Sequence, residues 1–139
     1  MATRTEAYVD TSALIAFADR ADSYHGMFHR LFSAPPSLVT TALVIAEGHA
    51  WFLRGHDPAR ALEFLAMIES MSPLVVLPVS AGELSAGAGV LRRLADQRLT
   101  LTDAVGLHVM RIQQVAVCWS TDFHLGLTGV PLVIDGAGG

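Results

Sequence analysis

Lysine and asparagine are absent from this chain, and cysteine occurs once, at Cys118. A single cysteine excludes an internal disulfide and any zinc site built from cysteines. Its place in the apolar run "VAVCW" marks a buried core thiol. Long apolar runs are missing too: charge, proline or glycine breaks each one well short of the roughly 18 residues that cross a bilayer. The N-terminal "MATRTEAYVD" has no basic segment leading into an apolar stretch, so no secretion signal is expected and the expected location is cytoplasmic. Positive charge is scarce, with nine basic residues against thirteen acids, and the net charge of −4 argues against an indiscriminate nucleic-acid coat. A local arginine patch beside an acidic site is compatible with that balance.

What is present is core material. Hydrophobic residues make up 52% of the 139 positions and charged residues 16%, enough to fill both sides of a sheet. The length suits one domain, residues 1–139, by the usual ~100–200 residues per domain. β-branched runs alternate with helical stretches. Five read as strands: "AYVD", "SLVTT", "LVVLPV" (Leu74–Val79), "VAVCWS" (Val115–Ser120) and "PLVID" (Pro131–Asp135). Their nearly continuous apolar content predicts strands covered on both faces of a parallel sheet.

The helices between them announce their starts. Asp57 is an N-cap with Pro58 at the first helical position. Ser80 and Glu83 have capping-box spacing. "LTDAVGLHVMRI" opens with Thr102 and Asp103. The predicted fold is α/β, a three-layer α/β/α sandwich around a mainly parallel five-stranded sheet.

Four acids stand apart from this scaffold. In an open parallel sheet, ligands gather beyond the carboxyl ends of the strands. Asp10 closes the first strand and Asp122 the fourth, while Asp103 lies at a helix N-terminus just before the fourth. Singly, Asp10 and Asp103 read equally well as helix caps and Asp122 as a turn residue. Glu47 is different, because its helical neighbours Leu43, Val44, Ala50 and Trp51 are apolar. A carboxylate on such a face needs a partner or a metal. Together, the four acids would raise one another's pKa unless a cation were present. Oxygen-rich sites of this kind suit hard Mg²⁺ or Mn²⁺.

The stretches "YVDTSALIAF", "TALVIAEGHAW", "LTLTDAVGLHVM" and "WSTDFHLGLTGVPLVI" resemble, in order and spacing, the PIN domains of VapC-type toxin ribonucleases. On that resemblance the family's four acids fall on Asp10, Glu47, Asp103 and Asp122, and its small hydroxyl residue on Ser12. It implies metal-dependent cleavage of RNA with Mg²⁺ or Mn²⁺, and a small cognate antitoxin protein as partner. Asp10, Asp103 and Asp122 would coordinate metal directly or through water, and Glu47 would hold a metal water or orient the nucleophile. Ser12 would tether the metal shell or substrate phosphate, or simply cap the first turn. Many members carry glycine in the turn before the fourth strand, where this chain has Gln113 and Gln114. A mean hydropathy of +0.45 adds the expectation of a homodimer covering apolar surface.

Other features point elsewhere or nowhere. His25 and His29 sit one helical turn apart, but no third ligand follows and no HExxH occurs, so they read as a solvated helix face. His49 and His124 neighbour Glu47 and Asp122 and have supporting roles open to them, whereas His108 is peripheral. Arg92, Arg93 and Arg98 form the densest basic cluster and read as a solvated face or a phosphate contact. Phosphatases with a strand-end aspartate need a second Asp two residues on, where this chain has Ser12, and receiver domains need a lysine. The competing class is a PIN-like binding module without catalysis, against which the full set of acids argues.

Overall fold

The computed structural model describes residues 6–136. Four apolar runs form β1 (Ala7–Val9), β2 (Leu38–Thr41), β3 (Leu74–Leu77) and β4 (Val117–Trp119). All pair in parallel, in the order β3-β2-β1-β4, with Ala7 facing Leu38 on one side and Val117 on the other. The chain thus builds outward from β1 through β2 and β3, then returns to lay β4 on the opposite flank of β1. That reversal opens a crevice at the carboxyl ends of β1 and β4.

Parallel strands require crossover connections, and here each is a helix pair flanking the sheet. These are α1 (Thr11–Ala18) with α2 (His25–Ser33), α3 (Ala42–Gly55) with α4 (Pro58–Ser70), and α5 (Ala81–Arg93) with α6 (Leu101–Gln113). Their starts follow local chemistry. Asp57 accepts the Arg60 N–H at 2.8 Å, and Ser80 with Glu83 completes a capping box. The true cap of α6 is Thr100, two residues before the expected start, with Asp103 as its capping-box partner. At the other end of α6, Gln114 is left-handed (φ 51°), which accounts for the family's glycine in this turn. No helix among the described residues is long and apolar enough to cross a membrane.

Two expectations need correction. The fifth strand is reduced to one parallel bridge, Cys118 to Leu132, and the chain then turns into the short α7 (Val133–Gly136). β4 is only three residues long, so it offers little ladder, and α7 instead sets Val133 and Ile134 half-buried against the core. Nor is every strand covered on both faces. β3 pairs only with β2, and Val75 and Val76 are exposed.

The close approach of α6 to β1 depends on Gly106, one turn beyond Asp103. A methyl group there would stand 2.9 Å from the Tyr8 hydroxyl, on a ring that is fully buried. That hydroxyl has no hydrogen-bond partner of good geometry among the described residues. Helix propensity alone favours alanine over glycine by about 1 kcal/mol, but overpacking a rigid contact costs about 1–3 kcal/mol. Gly106→Ala is therefore expected to destabilise the fold by about 1 kcal/mol in urea denaturation, and adding Tyr8→Phe to restore most of the loss. A Gly106→Ala protein more stable than the parent would show that α6 does not rest on Tyr8.

Candidate active site

β1 ends at Val9, and Asp10 occupies the N-cap position of α1 without making a side-chain capping bond. Its carboxylate turns instead toward β4. Ser12 donates to Asp10 Oδ2 at 2.9 Å and Ser120 donates to the same oxygen at 2.8 Å. With both hydroxyl hydrogens committed, the serine oxygens become acceptors. Ser12 Oγ takes the Thr121 N–H at 3.0 Å, and Ser120 Oγ takes the Asp122 N–H at 2.9 Å. The start of α1 and the loop after β4 are thereby joined through one carboxylate oxygen. Among the described residues no side chain donates to Asp10 Oδ1.

Asp122 heads a 3₁₀ turn, Phe123–Gly126. Its Oδ1 accepts the His124 backbone N–H at 3.0 Å and faces the imidazole Nδ1 at 2.8 Å. Asp103 is buried on the first turn of α6, where it accepts the Thr100 N–H at 3.2 Å through Oδ2.

The electrostatics tie these acids together. Asp10 is only 5% exposed, and burial drives its pKa up to about 6, Asp103 adding to the rise while Ser12 and Ser120 oppose it. Burial also raises Asp103, helped by Asp122; the Thr100 hydrogen bonds and His124 pull the other way.

The structure thus brings Asp103 near enough to feel the charge of both Asp10 and Asp122, with Ser12 bonded to Asp10 and His124 to Asp122. Glu47 lies on α3, beside the half-buried Leu43, Ala50 and Trp51. The buried face of α3 is Val44, Gly48 and Phe52, and Glu47 stands half-buried one position off it. Among the described residues no hydrogen bond or ion pair engages its carboxylate. Ser120 was missed from the sequence; its signal was a hydroxyl closing the apolar strand run just before Asp122. Of the other histidines, His25 faces the Ala16 carbonyl through Nδ1 at 2.8 Å and stacks near His29, both on α2 and apart from the acids.

The donor set of carboxylates and hydroxyls fits a hard divalent cation. No group of three or more His, Cys, Asp or Glu among the described residues stands close enough to share one ion. An ion here would keep several of its waters, as Mg²⁺ usually does.

A PIN-domain family model matches residues 7–126, and the chain belongs to the PIN domain family. Its fold is similar to that of VapC20 from Mycobacterium tuberculosis, a sarcin–ricin-loop-cleaving toxin. That match has a TM-score of 0.82 and 24% identity over 90% of this chain and 96% of the other. It is also similar to PAE2754 from Pyrobaculum aerophilum, with a TM-score of 0.69 and 20% identity over 97% of both chains. No curated protein sequence matches the chain.

The raised pKa of Asp10 has a measurable consequence. Because the folded value of about 6 exceeds the ordinary 3.8, this group's contribution to stability is complete below the lower value and lost as pH rises through the higher. At about 1.36 kcal/mol per pKa unit, Asp10→Asn should raise metal-free stability by about 2–3 kcal/mol near pH 8 and change it little near pH 4. Urea denaturation in EDTA at the two pH values checks this. Equal effects at both would mean that Asp10 is not held against its charge.

Proposed function

We propose that this chain is a divalent-metal-dependent endoribonuclease that acts as the toxin of a toxin–antitoxin pair. The observation carrying the reading is the convergence of Asp10, Asp103 and Asp122 at the switch point of a PIN fold. Burial raises both Asp10 and Asp103, and neighbouring acids add to each, so the arrangement works against stability. Groups kept at that cost belong to chemistry.

In this reading a bound Mg²⁺ or Mn²⁺ supplies an activated water and neutralises charge at the attacking and leaving oxygens. The chain's own contribution is orientation. Ser12 and Ser120 fix Asp10 through Oδ2, which leaves Oδ1 without a side-chain donor and open to a cation. His124 holds Asp122 through Oδ1, and Thr100 holds Asp103 as part of a helix cap. Glu47, on α3, would orient a water. The acidic crevice also suits an Arg or Lys side chain from an inhibiting antitoxin, which would displace the metal by pairing with Asp10 or Asp122. The toxin role of VapC20, on the same fold, supports an RNA substrate and such a partner. A homodimer in the cytoplasm completes the proposal, and the exposed Val75 and Val76 offer apolar surface for it.

One observation favours a second reading, a binding module without catalysis: among the described residues no three ligating side chains share one ion. Calorimetric titration with Mn²⁺ separates the two. Binding heat that disappears in Asp10→Asn supports the nuclease, and absence of heat in the parent supports the module.

Asp103→Asn is expected to abolish RNA cleavage and keep the fold, since an amide oxygen still accepts the Thr100 N–H. Cleavage undiminished in excess EDTA would overturn the metal mechanism. In cells, expression of the chain alone should slow growth, and co-expression of a neighbouring antitoxin gene should restore it. Growth unaffected by the chain would remove the toxin assignment.

A further inference from the structure

Phe123 is 66% exposed, the most exposed large apolar side chain among the described residues, and it directly follows Asp122. An aromatic ring in water beside an acidic crevice gains nothing for the fold. Its surroundings nevertheless hold it in place. Asp122 Oδ1 pins both the backbone N–H and the ring of His124, while Ser120 and Ser12 pin the backbone of Asp122 and Thr121. Phe123 sits between these fixed points and is turned outward. One face lies on the His124 imidazole, with ring centroids 4.1 Å apart and an interplanar angle of 30°. The rest of the ring is open to solvent.

We infer that Phe123, backed by His124, is a stacking shelf for an unpaired base of the RNA substrate, next to the phosphate held at Asp122. This deepens the nuclease reading and rests on it. With a net charge of −4 the protein gains little from long-range attraction to RNA, so short-range contacts must supply recognition. Single-stranded RNA is read by splaying bases out and stacking them on aromatic rings. With the backbone on either side hydrogen-bonded and one face of the ring on His124, less freedom is lost when a base settles on the other face. Base-paired RNA keeps its bases stacked internally and has none to offer this surface, so the shelf selects loops over duplex.

The test is a hairpin RNA carrying 2-aminopurine in its loop, whose fluorescence is quenched when the base stacks. It is titrated into Asp103→Asn protein with and without Phe123→Leu, a change that keeps apolar bulk but removes the π face. Quenching by the Phe123 protein and a roughly five- to hundredfold weaker affinity in Phe123→Leu are expected, the range for one stacked base. Phe123→Trp should restore binding. In a cleavage assay with Asp103 intact, Phe123→Leu should raise KM by a similar factor with kcat changed far less, and Mn²⁺ affinity by calorimetry should be unaltered. Equal quenching and affinity in Phe123→Leu, or no quenching by either protein, would overturn the inference. Quenching without cleavage by the intact protein would overturn the nuclease reading and leave the shelf standing.

Discussion

The structure turns on a buried carboxylate shared by two distant segments. Asp10 Oδ2 receives two serine hydroxyls, one from the first turn of α1 and one from just beyond β4, 110 residues along the chain from Asp10 itself. An ionised group in such a pocket is costly unless hydrogen bonds or a counter-charge answer it. Two serines answer one oxygen, and no side chain among the described residues answers the other. The same serines accept the Thr121 and Asp122 amides, so the group that most resists burial also fixes the loop carrying the third aspartate. Burial therefore works against the charge of the very group that ties the two segments together.

Topology explains why the acids meet at all. Strand order β3-β2-β1-β4 places the chain's first and last strands side by side. Asp10 and Asp122 are remote in sequence but close the two strands that flank the switch point. Asp103 arrives by a different route, through a helix packed so tightly on β1 that glycine is needed opposite Tyr8. Its capping bond to Thr100 and its place in the crevice are compatible, because a cap engages one oxygen and leaves the other free.

Local signals carried much of this into the sequence. The cap at Asp57, the box at Ser80 and Glu83, and the first four strands depend on nearest neighbours, and each appears where the residues imply. That Asp10 and Asp122 lie at the same end of the sheet was legible because both follow strands that run in parallel. What failed was whatever depended on partners. "PLVID" has strand composition, but β4 is too short to offer it a ladder. "LVVL" is apolar enough for a central strand and lies at an edge. Ser120 was overlooked since its importance lies in a contact with a residue at the other end of the chain.

The pairing of β1 with β4 also sets when the site comes into being. Ser120, Asp122 and His124 lie in the closing part of a chain synthesised from its N-terminus, and Asp10 near its opening. A nascent polypeptide that stops short of Trp119 has no fourth strand, no second serine and no third aspartate. Long-range pairing of this kind is also slow to form. The cluster of acids around Asp10 is therefore completed only when the last strand and the loop after it have been made.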